Sequence, residues 1–250
     1  MLGEYNKNSS RAYLPLQEKL RGEVFKRSTY GHTTLGYLAD IKKMPEQYAY
    51  SLKFFDRYYT PDNTVIIVVG DVTFEDLVPK IAAKYGAWNK KRFNNRVPKE
   101  RAQRREIRTQ VDFPSPTLPR LSVSWRTPAS KYGSVDTAVH NILFDLLFGG
   151  TSALNKKLVL ESGWLAGMGE WSWDHRDPYM FQVVSTVKDA SKMKEIEAEI
   201  HAAGADLAKN GPSPERLEAV KSHVRYRSLL QLETPNTIAY QLAFNMGAGG

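Results

Sequence analysis

The sequence contains no cysteine, and this absence excludes several kinds of chemistry. Disulfide bridges, thiolate zinc sites and cysteine nucleophiles all require that side chain. The absence of cysteine does not indicate the cellular compartment, because a cysteine-free protein is stable in a reducing or an oxidising environment. Any metal ligand or nucleophile in this chain must therefore come from other residue types.

Long apolar runs are lacking as well. No stretch of about 18 apolar residues occurs, so the sequence predicts no membrane span. Residues 1–7 lack the apolar segment of a signal peptide, so a signal for export would lie upstream of them. The 250 residues are 42% hydrophobic and 25% charged, which is typical of a globular protein with a sizeable core.

The common catalytic motifs are also missing. The sequence has no G-x-x-x-x-G-K-S/T, no G-x-G-x-x-G and no G-x-S-x-G. None of its five histidines lies three or four residues from another, so H-x-x-E-H and H-E-x-x-H are both absent. These histidines are His32, His140, His175, His201 and His223. The chain thus holds no complete motif for nucleotide binding, serine hydrolysis or zinc catalysis.

Much of the net charge of +8 lies in one segment. Residues 90–108 contain nine Lys and Arg residues against two Glu residues. We interpret residues 89–110 as a solvated basic linker between two domains, with a strip that binds polyanions as the alternative. Single-stranded nucleic acid is bound with interleaved aromatic residues, and Phe93 is the only aromatic between residues 90 and 108. We therefore expect no nucleic acid partner.

Helix and strand patterns alternate on both sides of this linker, which predicts two domains of helices packed on a sheet. In the first domain, residues 1–88, we expect helices at 10–27, 45–59 and 74–85 and a buried strand at Val65–Val69. In the second domain, residues 111–250, we expect helices at 134–148, 152–160, 193–207 and from 213 onward. Strands are predicted at 107–113, 121–125, 165–173 and 179–187.

Two segments carry a resemblance to a known family. Residues 28–36 read STYGHTTLG, and residues 58–71 read YYTPDNTVIIVVGD. They resemble HPYGH...IG and YYxPxN...VVGD, which follow the catalytic helix of the insulinase/pitrilysin zinc metallopeptidases, and the likeness covers about residues 4–241. The resemblance implies an α+β fold with two domains, each a mostly antiparallel sheet with helices on one face. Both domains would be truncated, the first without its opening strands and catalytic helix.

The resemblance assigns one residue of this chain to a metal site. Family members hold Zn²⁺ with two histidines of H-x-x-E-H and a glutamate in a stretch like V-x-x-E. Residues 1–6, MLGEYN, resemble that stretch, so Glu4 would be the third zinc ligand of the full-length parent. Without the resemblance, Glu4 is a solvated charge near a terminus. Catalytic zinc needs about three protein ligands, so we assign no catalytic residue to this chain.

A second family position bears on substrate binding. Family members often carry an Arg and a Tyr, seven residues apart in a stretch like LREExGLAY, that bind the substrate carbonyl. Residues 158–166 read LVLESGWLA, which places Val159 and Ala166 at these positions. Neither side chain can donate a hydrogen bond. Some bacterial members divide the work between two subunits, so the resemblance implies a peptide substrate and a second family subunit that carries the Arg/Tyr pair.

Three other polar residues receive structural interpretations. A lone histidine in a Thr/Gly-rich loop, such as His32, is typical of a hydrogen-bonding loop residue. His175 is expected in a surface turn between Asp174 and Asp177, and Asp71 in the turn that follows Gly70.

The sequence thus predicts the carboxyl-side portion of a zinc-dependent endopeptidase that is inactive as an isolated chain. The alternative is a non-catalytic family paralogue that acts as a scaffold or an inactive partner subunit. We interpret Met1 and Gly250 as the ends of a partial reading frame, with a naturally short paralogue as the alternative. For a full-length bacterial parent we expect a periplasmic or secreted location.

Overall fold

The computed structural model describes residues 1–88, 96–131, 133–170 and 175–249. The chain divides into two compact units, unit 1 at Met1–Ser115 and unit 2 at Pro116–Gly250. Within the described residues, no helix combines the length and the apolar character that a membrane span requires.

The regular secondary structure of unit 1 is helical throughout its described residues. Its helices are α1 (Leu2–Ser9), α2 (Tyr13–Val24), α3 (Leu38–Lys43), α4 (Tyr48–Tyr58) and α5 (Phe74–Tyr85). Local signals set these limits. The hydroxyl of Thr73 caps α5 by accepting a hydrogen bond from the Asp76 N–H at 3.2 Å. The bounds of α4 and α5 confirm the helices predicted at 45–59 and 74–85. The helix predicted at 10–27 is present as α2 but is shorter.

The predicted strand at Val65–Val69 is wrong. Residues 64–69 have no regular secondary structure, and the described part of unit 1 offers no strand with which they could pair. A strand takes its hydrogen bonds from a neighbour, so β-branched residues alone do not make a sheet. The side chains of Val65, Ile66 and Val68 are 60%, 44% and 45% exposed instead of buried.

A small core in unit 1 supports the loop that contains His32. Leu14, Phe25 and Ile41 are buried, and the Tyr30 ring packs edge to face on Phe25 at 5.7 Å. Gly31 lies so close that an added Cβ would meet the Phe25 carbonyl oxygen at 2.6 Å. The chain therefore requires glycine at this point of the loop.

Glu100 joins the predicted linker to the start of the same loop. Its Oε2 accepts hydrogen bonds from the N–H groups of Arg27, at 2.7 Å, and Ser28, at 3.0 Å, while its Oε1 accepts one from the Arg101 N–H at 3.1 Å. Burial by itself raises the pKa of the Glu100 carboxyl, but these N–H groups and that of Lys26 together lower it below its ordinary value. The carboxylate thus holds two segments that are more than 70 residues apart.

Unit 2 contains a three-stranded antiparallel sheet in its described residues. The strands are β1 (Arg120–Arg126), β2 (Leu165–Glu170) and β3 (Met180–Val187), in the order β1-β3-β2. The helices are α6 (Val135–Leu147), α7 (Ala153–Asn155), α8 (Met193–Asn210), α9 (Pro214–Leu230) and α10 (Pro235–Gly249), with a π-helical segment at Lys156–Glu161. The predicted α+β class, helices with a small antiparallel sheet, is confirmed.

Most element predictions for residues 107–250 hold, and two need comment. The strand predicted at 107–113 is wrong, because these residues have no strand partner among the described residues. The strand predicted at 165–173 forms as far as Glu170, and residues 171–174 lie outside the described residues. Ser134 and Ser213 cap α6 and α9, as predicted, by accepting backbone hydrogen bonds at 3.3 and 3.2 Å.

The core of unit 2 lies where the helices pack on the sheet. Its buried members are Phe148, Leu154, Leu158, Leu165, Phe181, Val183, Val187, Ile196 and Ile200. They come from β2, β3, α8 and the segment between α6 and β2, so the core forms only when these distant parts of the chain meet.

Two leucines on the same π-helical segment test this core. Leu158 is 0% exposed, whereas Leu160 is 71% exposed. We expect Leu158→Ala to lower the free energy of unfolding by about 2–5 kcal/mol through lost burial and a cavity. Leu160→Ala, the matched control, should change it by less than about 0.5 kcal/mol. Urea unfolding followed by circular dichroism measures both, and equal losses would contradict the core assignment.

The Glu100 contacts predict a dependence of stability on pH. Because the folded-state pKa lies below the unfolded value, the carboxylate contributes stability above the unfolded pKa of about 4.5. This contribution is lost as the pH falls through the folded-state pKa. We expect Glu100→Gln to be less stable than the native chain at neutral pH, with a difference that shrinks below about pH 4.5. Glu106→Gln, in the same segment, is the control, and a pH-independent difference for Glu100→Gln would contradict the role.

Candidate functional site

Glu4, the predicted metal ligand, lies in the first turn of α1 and is exposed. A carboxylate at this place interacts favourably with the positive end of the helix dipole. Nowhere in the described residues do three or more His, Asp or Glu side chains come together as a metal site. Since catalytic zinc needs about three protein ligands, the described residues of this chain do not fit a zinc ion.

His32 is a hydrogen-bonded loop residue, as predicted. Its Nδ1 lies 2.8 Å from the carbonyl oxygen of Thr33, and its ring packs edge to face on Tyr37 at 5.3 Å. The His32 carbonyl accepts a hydrogen bond from Nη1 of Arg21 at 3.3 Å. These contacts fix the loop and leave the histidine with a structural role.

His175 stabilises the connection between β2 and β3. Its ring stacks on Tyr179 with 3.7 Å between the centroids. The backbone N–H of His175 donates to Oγ of Ser130 at 3.1 Å, and its backbone carbonyl accepts from the Ser130 N–H at 2.8 Å. Asp174, which we expected beside it, lies outside the described residues. Asp71 lies in a bend before α5, as predicted.

Two backbone irregularities surround the positions of the expected Arg/Tyr pair. Val159 lies on the π-helical segment Lys156–Glu161 and packs against the core. In the pairing of β2 with β3, Leu165 lies opposite Val187 and Gly167 opposite Thr186, so Ala166 is an extra residue in a β-bulge. Both π-helical segments and bulges are over-represented near functional sites. The fold thus shapes this region in an unusual way.

The side chains at these two positions supply no polar group. Val159 is directed to the core, and Ala166 presents only an exposed methyl group. The lysines of the π-helical segment form ion pairs, Lys157 with Glu199 at 2.6 Å and Lys156 with Glu161 at 3.8 Å. The segment therefore has a distinct backbone shape without a side-chain donor for a substrate carbonyl at either position.

A cleft of about 380 Å³ lies among β1, α6 and α8. Trp125, Phe148 and Phe181 give it an aromatic floor, with centroids 6.0–6.4 Å apart, and His140 and His201 lie at its wall. Its size is that of a small ligand pocket. Two histidines without a third ligand do not make a catalytic zinc site, so the cleft suits an apolar side chain better than a metal.

Asp145 is a polar core residue that the sequence did not reveal. It is 8% exposed on α6, and its Oδ2 pairs with Nη2 of Arg227 on α9 at 3.2 Å. Nη2 of Arg216 donates to the Asp145 carbonyl at 2.9 Å, which ties the same two helices together. In the sequence, Asp145 is distinguished only as an acidic residue between apolar neighbours on α6. Its partners could not be predicted, because they lie more than 70 residues away along the chain.

Comparison with known proteins identifies the family. Residues 47–224 match the family model described as Peptidase M16 inactive domain. Comparison with curated protein sequences found no match.

Solved structures share the fold at low sequence identity. A peptidase M16 inactive domain from Pseudomonas fluorescens has a TM-score of 0.74 and 20% identity, over 96% of this chain and 58% of its own. The periplasmic protease PqqL from Escherichia coli has a TM-score of 0.68 and 16% identity, over 97% and 28%. A chain of complex III from Candida albicans has a TM-score of 0.67 and 17% identity, over 91% and 54%.

The chain thus spans less than two thirds of the length of these structures. The family match covers well over half of the chain, and it fits a sequence that has the family's loop and turn segments but no H-x-x-E-H. The chain belongs to the peptidase M16 family, the insulinase-type peptidases, and its sequence lacks the catalytic H-x-x-E-H motif.

Proposed function

We propose that this chain is the carboxyl-side portion of a zinc-dependent endopeptidase that cleaves unfolded peptides, and that it has no hydrolytic activity by itself. The match of residues 47–224 to the M16 inactive domain carries the proposal. The described part of the chain contains no group of three metal-ligating side chains. This supports the proposal that the chain has no hydrolytic activity by itself.

In the full-length parent, Glu4 would provide one zinc ligand, and the ligands from H-x-x-E-H would come from outside this sequence. An exposed carboxylate on a regular helix is free to take that role, since no hydrogen bond holds the Glu4 carboxylate in the described structure. We place the parent in the periplasm or outside the cell, a proposal that the periplasmic location of PqqL supports.

A second family subunit is part of the proposal. Val159 and Ala166 lie at an irregular backbone segment but give a substrate carbonyl nothing to bind. Electrostatic stabilisation of that oxygen requires donors placed in advance. We therefore assign the donors, an Arg/Tyr pair, to a partner subunit with which the parent forms a heterodimer.

A scaffold is the second candidate function. The similarity to a chain of complex III favours it, because that protein is part of a large assembly. In this case the chain would act as a non-catalytic subunit. It would bind no substrate carbonyl and would need no polar side chain at Val159 or Ala166.

The isolated chain should not cleave peptides. We expect the purified protein, incubated with Zn²⁺ and an unstructured peptide, to show no hydrolysis, because a lone carboxylate binds Zn²⁺ weakly without histidine or cysteine partners. Mass spectrometry of the peptide is the readout. Cleavage that a chelator abolishes and added Zn²⁺ restores would contradict the proposal.

The peptidase and the scaffold differ in the sequence upstream of Met1. We expect the longer reading frame to contain H-x-x-E-H and its protein to cleave peptides only with the product of a neighbouring family gene. A frame without H-x-x-E-H would favour the scaffold, and full activity of the single polypeptide would exclude the division of labour.

A further inference from the structure

The basic segment between residues 96 and 108 has no part in the proposed function. The structure describes all of these residues and gives them no regular secondary structure. Its exposed cationic side chains are Arg96, Lys99, Arg101, Arg104, Arg105 and Arg108. Lys and Arg side chains are almost never fully buried unless they are paired. Further strands or helices of a longer parent protein are therefore unsuited to cover this segment, and it should remain at the surface.

The two acidic residues of the segment are already engaged. Glu106 pairs with Arg108. The Glu100 carboxylate accepts backbone hydrogen bonds, including one from the Arg101 N–H at 3.1 Å, so its oxygens are occupied by the main chain. Among the described residues, no carboxylate forms an ion pair with the side chains of Lys99, Arg101, Arg104 and Arg105. Their positive charges are left without a counter-charge in the chain.

The fold adds an arginine from a distant part of the sequence. Oε2 of Glu100 accepts the Arg27 N–H at 2.7 Å, which holds the backbone of residue 27 beside the basic segment. The Arg27 side chain is exposed and has no ion-pair partner in the described part of the chain, whereas Lys26 pairs with Glu23 at 2.9 Å. The structure thus collects positive charge from two segments. We call Arg27, Lys99, Arg101, Arg104 and Arg105 the basic patch.

The chemistry of the basic patch indicates the class of its ligand. Guanidinium groups bind carboxylate and phosphate through paired hydrogen bonds. Proteins that bind single-stranded nucleic acid also offer aromatic rings for stacking, and residues 96–112 contain none. Binding to a lipid surface uses an amphipathic helix or a basic run beside a membrane anchor, and the basic segment forms no helix. An acidic peptide needs neither feature, so it fits the patch best.

We propose that the basic patch binds an acidic stretch of the unfolded peptide substrate. The inference rests on the proposed function for the role of this peptide as a substrate. Each exposed ion pair contributes little by itself, so several carboxylates must bind together, which favours peptides with clustered Asp and Glu residues. Salt screens exposed charges over about 10 Å at 0.1 M, and the affinity should therefore fall as the salt concentration rises.

The test measures binding to the isolated chain by fluorescence anisotropy. The probe is a labelled, unstructured Gly/Ser peptide that carries a run of Glu residues, and the reference peptide has Gln in place of each Glu. Two variants remove charges from the patch, Arg27→Gln and the double change Arg104→Gln with Arg105→Gln. The matched controls are Lys53→Gln and the double change Lys42→Gln with Lys53→Gln, since both lysines are exposed in unit 1. Circular dichroism verifies that each variant is folded.

We expect the chain to bind the Glu peptide and to bind the Gln peptide much more weakly. The dissociation constant for the Glu peptide should rise about 3–10-fold when Arg104 and Arg105 are replaced, and about 2–5-fold in Arg27→Gln. The controls should change it by less than about 1.5-fold, although they remove the same number of charges. The effect of Arg27→Gln tests the fold directly, because Arg27 lies far from the basic segment in the sequence.

Equal binding of the Glu and Gln peptides, or equal losses in the patch variants and the controls, would overturn the inference. Duplex DNA or vesicles of anionic lipid that bind through the same arginines and displace the Glu peptide would overturn the choice of ligand. Peptide binding requires no hydrolysis, so the outcome is separate from that of the proposed function. A full-length parent that cleaves no peptide would overturn the proposed function, whereas equal KM values of an active parent for both peptides would overturn this inference alone.

Discussion

Strand β3 is the element on which unit 2 depends. In the described residues, β1 and β2 both pair with β3, and neither pairs with the other. Val183 and Val187 are fully buried, and so is Gln182, whose Nε2 donates to Oγ of Ser122 on β1 at 2.7 Å. The strand is covered on both faces, and the buried Gln182 amide has a hydrogen-bond partner. Helices α6 and α8 and the segment before β2 pack on the sheet that β3 organises.

Residues 65–69 show what happens to a similar sequence without such neighbours. The runs Val65–Val69 and Val183–Val187 are both rich in β-branched residues, and both were predicted to lie in strands. Among the described residues, only the second run has a strand on each side. A strand is stabilised by its neighbours more than by its own composition, so the local pattern indicated the tendency in both places and could not indicate whether partners were present.

The helices and their caps were predictable because their signals are local. Ser134, Ser213 and Gly86 each mark a helix end within a few residues of the contact that they make. The candidate site was harder to predict from the sequence. Val159 and Ala166 were identified by resemblance, but no local pattern predicted the π-helical segment that contains Val159, and the bulge at Ala166 depends on how β2 pairs with β3. The contacts of Glu100 and Asp145 join residues more than 70 positions apart, which no periodic pattern reveals.

Unit 2 has a complete core, whereas residues 64–69 of unit 1 are largely exposed and have no strand partner among the described residues. Hydrogen exchange measured by mass spectrometry on the dilute chain tests this difference most directly, since protection follows buried and hydrogen-bonded backbone. We expect slow exchange in Met180–Val187 and in α8, and rapid exchange throughout residues 64–69. Equal protection of residues 64–69 and β3 would contradict this assignment of the core.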